Sequence, residues 1–271
     1  MLDKSQLVSL KKDDANAQAV TKNSETNLPE NISEEEIAKF DALAENWWDP
    51  NGKYKTALIF NRARVEYFIK QIATHFGRNH HAIDCLKGLT ILDVGCGGGL
   101  VSEALAKAGA EVTGIDASEM SVQVARRHAI KSKLDITYKH MLAEHVVQEN
   151  KQYDAVINAE VVEHVPLPKE LVKECSQLTK PGGCMVLATL NRTIMSLLIA
   201  IIGAEYIMRY LPIGTHNWHM FIKPLELNSM ASINRMQLIE EKGMKYNPFS
   251  KQWRLSKSLS VNYIQAYRKL G

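Results

Sequence analysis

The chain has little of several things, and each scarcity closes off a class of protein. Its 271 residues include four cysteines, Cys85, Cys96, Cys175 and Cys184, with no Cys-x-x-Cys spacing, too few and too scattered for a disulfide scaffold or a structural zinc. Small buried thiols in a reducing compartment fit that usage. No uninterrupted apolar stretch approaches the roughly 20 residues a membrane-spanning helix needs, and the N-terminus has no apolar core of signal-peptide type. Charge of one sign is also missing: 33 Lys and Arg against 30 Asp and Glu leave a net +3, without the basic cluster that marks a nucleic-acid surface. Residues 1–31 lack aromatics, glycine and arginine and intersperse lysines with acids, which predicts a disordered tail over 1–32. Those acids, with no arginine, exclude a mitochondrial presequence and favour a bacterial cytoplasm.

What is present is a globular composition. With 45% apolar and 23% charged residues, the chain can bury a large core, which excludes wholesale disorder and a coiled coil. Order is expected from Ser33, where Ser33-Glu34-Glu35-Glu36 has the form of a capping box and Ile37, Phe40 and Leu43 follow at helical spacing. That helix runs into Trp47-Trp48, a pair that either anchors it on the domain or forms an aromatic lid over a ligand. A second helix over 58–76 completes a helical cap spanning 33–80.

Strands and helices then alternate, the pattern of a βαβ sheet with helices on both faces. Strands are expected over 90–94, 111–115, 136–138, 155–158 and 184–189, and helices over 100–108, 120–132 and 168–179. Lys180-Pro181-Gly182-Gly183 reads as a turn before the last parallel strand. After Pro224 come one more helix and two long antiparallel strands, 237–244 and 261–267. The expectation is a single α/β domain over 33–271, doubly wound and Rossmann-like, with a mostly parallel seven-stranded sheet and an antiparallel C-terminal strand.

Ile91-Leu92-Asp93-Val94-Gly95-Cys96-Gly97-Gly98-Gly99 runs from a strand into a helix, so that small residues let the backbone approach a ligand at the carboxyl edge of the sheet. A dinucleotide fingerprint would place its third glycine at position 100, which is Leu100. The loop instead resembles motif I of the class I S-adenosylmethionine-dependent methyltransferases, with Asp93 as the acid two places before the first glycine. The second strand ends in Thr113-Gly114-Ile115-Asp116, which sets a carboxylate where it can accept both ribose hydroxyls. By the same resemblance Ala159 lines the cofactor pocket and Leu142-Ala143-Glu144 lies where adenine is held, although position 142 often holds an acid in the superfamily.

Further blocks narrow the resemblance. Trp47-Trp48-Asp49, Phe60-Asn61-Arg62-Ala63-Arg64, Glu160-Val161-Val162-Glu163-His164-Val165-Pro166, Thr189-Leu190-Asn191-Arg192, Gly203-Ala204-Glu205-Tyr206, Gly214-Thr215-His216 and Phe221-Ile222-Lys223-Pro224 occur in an order similar to the ubiquinone biosynthesis O-methyltransferase family. The resemblance covers residues 33–267. It implies methylation of catechol-type hydroxyls on polyprenylated rings, a 2-polyprenyl-6-hydroxyphenol and a 3-demethylubiquinol, and contact with other proteins of ubiquinone biosynthesis. It puts Arg64 at the cofactor-carboxylate position with Gly95, Asp116 and Ala159 completing that site. Arg62 stands where the family usually has proline.

A phenol with a pKa near 10 is only about one part in a thousand phenolate at neutral pH, so the nucleophile is the difficult part of such a reaction. A divalent cation on both catechol oxygens would lower that pKa. Glu160, Glu163 and His164 stand at i, i+3 and i+4 and would point one way if the segment is helical. The resemblance implies a metal role for the trio, with Mg2+ the first expectation. His164 or His216 as general base stays open, and His164 as a shaper of the pocket wall stays open too. His75, His80, His81, His128, His140 and His145 have no motif context and read as surface or structural residues.

Residues 192–222 form an apolar insertion, with Ile194-Met195-Ser196-Leu197-Leu198-Ile199-Ala200-Ile201-Ile202 leading into Tyr206-Ile207-Met208-Arg209. The segment over 192–211 is either an interfacial helix touching a membrane surface, at the inner face of a bacterial inner membrane, or a buried lid over the site. Other readings stay open: methylation of another small phenolic or lipid acceptor, or a catalytically silent cofactor-binding member of a quinone-synthesis assembly.

Overall fold

A computed structural model of the chain describes residues 31–44, 48–49, 55–199, 201, 217–247 and 252–271. The expected tail lies outside them up to position 30. Asn31–Gly271 is one compact unit. Helices α1 (Glu34–Ala44) and α2 (Lys55–His75) precede five parallel strands, β1 (Thr90–Val94), β2 (Glu111–Asp116), β3 (Ile136–His140), β4 (Tyr153–Ala159) and β5 (Thr179–Leu190). Helices α3 (Leu100–Lys107), α4 (Glu119–Ser132), α5 (Ala143–Gln148) and α6 (Pro168–Leu178) connect them. After α7 (Pro224–Ile233) come the antiparallel strands β6 (Met236–Asn247), β7 (Gln252–Ser256) and β8 (Asn262–Lys269).

The strand order is β3-β2-β1-β4-β5-β8-β6-β7. It reverses between β1 and β4, and the crevice outside the carboxyl ends of strands at such a reversal is where α/β sheets bind ligands. Among the described residues the sheet has eight strands in the place of the expected seven, because β7 pairs with β6 from Gly243–Ser256 to Asn247–Gln252. The turn expected at Lys180-Pro181-Gly182-Gly183 is absorbed into β5 as an irregularity: Tyr153 pairs with Thr179, and the next pair is Ala155 with Cys184.

Both sheet faces are buried, as crossover helices on each side require. Alternate residues divide between two cores. Ile91, Ala155, Ile157 and Val186 pack with Phe68 and Ile72 of α2 and Leu105 of α3, whereas Leu92, Val156, Met185 and Leu187 pack with Leu171, Val172 and Leu178 of α6. All four cysteines are buried and free, and burial pushes each thiol pKa up, so they serve as small apolar side chains.

At the start of α1 half of the capping box forms: Ser33 Oγ accepts the Glu36 N–H at 3.3 Å. The Glu36 carboxylate does not return to Ser33. It reaches His164 Nδ1 at 2.7 Å and so ties α1 to the turn after β4.

Candidate cofactor and acceptor site

The glycine loop is shaped from below. Gly95 N–H and Cys96 N–H both donate to the Ile115 carbonyl, at 2.8 and 3.0 Å, while Gly97 N–H donates to Asp116 Oδ2 at 2.8 Å. Asp116 Oδ1 accepts the Ser118 N–H at 2.8 Å, so each carboxylate oxygen holds one amide and keeps a lone pair for a ribose hydroxyl. Burial raises the Asp116 pKa, and the two backbone N–H bonds oppose that rise. Asp93 acts beneath the loop: it is 1% exposed, and its Oδ2 accepts the Ser102 hydroxyl at 2.6 Å. Burial pushes its pKa up to about 6.

Two glycines are required where other side chains come close. Gly95, at φ +74°, would set a Cβ 2.2 Å from Val161 Cγ2, and Gly99, at φ +86°, would set one 2.4 Å from the Tyr138 hydroxyl. Above the loop lies a pocket walled by Ile32, Ile115, Leu142, Val161 and Val165, with Gly95, Asp116 and Glu144 facing it. Apolar walls beside a bare backbone, with the carboxylates of Asp116, Glu144 and Glu174 on the lining, suit a nucleoside. The donor set therefore fits the expected cofactor.

Of the expected cofactor residues, Gly95 and Asp116 line this pocket, and so do Leu142, Ala143 and Glu144. Ala159 ends β4 and packs against the core on the α2 side, away from the pocket lining. Arg64 also stands off the lining. It is 7% exposed, with Nη1 on Glu160 Oε1 at 2.8 Å and Nη2 on Asn61 Oδ1 at 2.8 Å. Its guanidinium lies over Phe60 and Phe68, at 5.1 and 5.8 Å from the ring centroids. Ile32, Val161 and Val165 escaped sequence reasoning, since an apolar residue beside a motif looks like any core residue.

The expected metal trio does not converge. The segment after β4 is an irregular turn and not a helix, and Glu160 opens it in the left-handed region at φ +59°. Helical i, i+3, i+4 projection therefore fails. Glu160 turns to Arg64, and His164 turns to Glu36, whose pKa its hydrogen bond lowers to about 2 against the cost of burial. Glu163 is 2% exposed and neither carboxylate oxygen has a hydrogen-bond partner. Burial pushes its pKa well above the usual range, and the Glu160 charge adds to the rise. Among the described residues no group of three or more His, Cys, Asp and Glu side chains could hold a metal ion.

His216 lies outside the described residues, as do Trp47 and most of the apolar insertion. At the start of that insertion Thr193 caps a short helical turn, Ile194–Ser196, accepting the Ser196 N–H at 3.0 Å, and the Trp218 indole donates to the Thr193 carbonyl at 2.8 Å. Ile194 is 74% exposed and Met195, Leu198 and Ile199 about half exposed. No helix among the described residues is long and apolar enough to cross a membrane.

A family model described as a methyltransferase domain matches residues 92–187, the stretch from β1 to β5. The chain is 46% identical over 242 residues to the ubiquinone biosynthesis O-methyltransferase of Dinoroseobacter shibae, covering 89% of this chain and 98% of that protein. It is 48% identical over 236 residues to the protein of the same name from Roseobacter denitrificans, covering 87% and 95%. Among solved structures, magnesium protoporphyrin IX methyltransferase from Synechocystis PCC 6803 with bound SAH superposes with a TM-score of 0.60 at 20% identity, over 86% of this chain and 94% of that one. The plantazolicin methyltransferase BpumL gives 0.59 at 18%, over 88% and 98%. These two share the fold.

Proposed function

The chain belongs to the ubiquinone biosynthesis O-methyltransferases and uses S-adenosylmethionine, and on that premise we propose that its acceptors are polyprenylated catechol and quinol rings, a 2-polyprenyl-6-hydroxyphenol and a 3-demethylubiquinol. The acceptor part of the reading is carried by the 46–48% identity to ubiquinone biosynthesis O-methyltransferases; the cofactor part is carried by Gly95 to Gly99 and Asp116, joined by the Gly97 N–H bond at the reversal point of the sheet.

When bound, S-adenosylmethionine supplies a sulfonium-activated methyl group for in-line transfer to a phenolic oxygen. The protein's part is placement. Asp116 accepts the ribose hydroxyls, Gly95 leaves the loop bare where any side chain would strike Val161, and Leu142 and Val161 enclose the adenine. Arg64 is held by Asn61, by two aromatic rings and by Glu160 just after β4, and its fixed charge would turn from Glu160 to the amino-acid carboxylate of the cofactor.

Magnesium is part of the proposal through Glu160 and Glu163 alone. This cation commonly takes one or two carboxylates and completes its shell with water; to hold it, Glu160 would exchange its 2.8 Å ion pair with Arg64 for the cation, which would in turn favour the ionised form of Glu163 that burial and Glu160 disfavour. It would supply charge that favours the phenolate. His164, held by Glu36, stands outside that pair. The exposed Ile194, Met195, Leu198 and Ile199 support contact of the 192–211 segment with a membrane surface, where a polyprenylated acceptor resides.

The test is transfer of label from S-adenosylmethionine to a short-chain 3-demethylubiquinol analogue, in magnesium and in excess chelator, and separately to a 2-polyprenyl-6-hydroxyphenol analogue. Metal-dependent label on both acceptors is expected. No label on either, with S-adenosylhomocysteine still bound, overturns the acceptor assignment; full turnover in chelator overturns the metal. Failure of the protein to sediment with liposomes removes the membrane part.

A further inference from the structure

The glycine loop is gripped from outside as well as from below. Its amides point inward: those of Gly95 and Cys96 to Ile115, that of Gly97 to Asp116 and that of Gly99 back to the Cys96 carbonyl at 2.9 Å. The Gly98 carbonyl points the other way and accepts the indole Nε1–H of Trp48 at 2.8 Å, across 50 residues of chain. The Trp48 ring is stacked flat on His128 of α4, with centroids 3.4 Å apart and planes 3° from parallel. His128 Nδ1 in turn lies 2.5 Å from Oε1 of Glu103, whose side chain is 1% exposed and whose second oxygen takes Lys107 at 3.2 Å.

Glu103 stands in the first turn of α3, the helix that starts from Gly99, and its own N–H donates to the Gly99 carbonyl at 2.9 Å. Trp48 therefore reaches the loop by two routes, directly at Gly98 and through His128 and Glu103 at the helix start. Neither route is a generic packing contact. One is a directed hydrogen bond to a loop carbonyl, and the other is a stack whose lower ring is fixed by a buried carboxylate.

We infer that Trp48 is a positioning residue of the cofactor loop, acting with His128 and Glu103 to hold the loop in its binding shape before the cofactor arrives. A loop already ordered does not spend binding free energy on its own ordering. Loss of the anchor therefore weakens cofactor binding and leaves the chemical step alone. The N-terminal segment is thereby coupled to cofactor affinity although Trp48 does not line the pocket. This inference rests on the reading of the loop as the S-adenosylmethionine site.

The experiment uses the full chain and the variants Trp48→Phe, which keeps a stacking ring and removes the N–H donor, and His128→Ala, which removes the lower ring. S-adenosylhomocysteine titration calorimetry, steady-state kinetics and amide hydrogen exchange of the ligand-free protein are read together. Trp48→Phe is expected to weaken S-adenosylhomocysteine about tenfold or less, the scale of one hydrogen bond, and to raise KM for S-adenosylmethionine by the same factor with kcat retained. Exchange at Gly97 and Gly99 is expected to accelerate while that of β4 and β5 holds. His128→Ala should change all three in the same direction.

A merely structural anchor would lower Tm with no selective change in loop exchange or in KM, and that result overturns the inference. Unchanged binding and unchanged loop exchange in both variants overturns it as well. Absence of S-adenosylhomocysteine binding by the unaltered protein would overturn the cofactor reading instead, and loop exchange would still show whether Trp48 orders the loop.

Discussion

Gly95→Ala is the most demanding test of the site, because the structure separates its cost into two parts. The residue sits at φ +74°, and an added Cβ would lie 2.2 Å from Val161 Cγ2 and 3.2 Å from Val161 Cβ. Holding alanine in the left-handed region costs about 1 kcal/mol. Forcing a methyl group against a packed neighbour costs about 1–3 kcal/mol more, and a β-branched valine cannot swing its Cγ2 aside without leaving its preferred rotamer. The sum is about 2–4 kcal/mol of stability. Val161→Ala in the same chain removes the Cγ2 overlap and leaves the backbone cost, so the double variant should recover about 1–3 kcal/mol relative to additivity. Urea denaturation of all four proteins measures that coupling, and calorimetry with S-adenosylhomocysteine measures its counterpart in binding. Gly95→Ala alone should bind at least about tenfold more weakly, since Val161 also walls the pocket. Wild-type stability in Gly95→Ala, or strict additivity in the cycle, would refute the reasoning.

Three further outcomes are expected. Asp93, pushed from 3.8 to about 6 by burial, has a raised folded-state pKa, so its contribution is fully present below about pH 4 and is lost as pH rises through 6. Stability of the unaltered protein relative to Asp93→Asn should fall by about 3 kcal/mol over that window, and a flat difference in urea midpoints across it contradicts the assignment. Asp116→Asn turns one of two acceptor oxygens into an amide donor facing Gly97 N–H or Ser118 N–H; S-adenosylhomocysteine binding should weaken about 10- to 100-fold, and unchanged affinity sinks the ribose role. Arg64→Ala should erase the preference for S-adenosylhomocysteine over 5′-methylthioadenosine, which lacks the carboxylate, and a preserved preference in competition binding shows that Arg64 reads something else.

The legible parts of the protein are those written locally. Hydrophobic runs of strand length between helical periods placed β1 at 90–94 and β2, β3 and β4 to within two residues, because period and turn chemistry are properties of neighbours in sequence, whereas β5 begins at Thr179, through the expected turn. Motif I and Asp116 were readable for the same reason: a loop between a strand and a helix, and the end of the next strand, need only the order of elements to be brought together. The strand β7 was missed, since Gln252–Ser256 is short, partly exposed at a sheet edge, and takes its conformation from pairing with β6.

Side-chain partners across long separations were a different matter. The spacing of Glu160, Glu163 and His164 fitted a helical face, yet the turn after β4 is left-handed at Glu160, and Arg64 and Glu36 arrive from helices about 100 residues earlier to claim two of the three. His128 had no motif at all, and its place beneath Trp48 exists only because α4 and the N-terminal segment meet at the glycine loop. Sequence by itself determined the alternation of elements, the glycine loop and the family, each encoded in contiguous residues. Tertiary structure alone decided which charges pair and which ring lies on which, because a hydrogen bond depends on fractions of an ångström between elements whose relative positions no local pattern encodes.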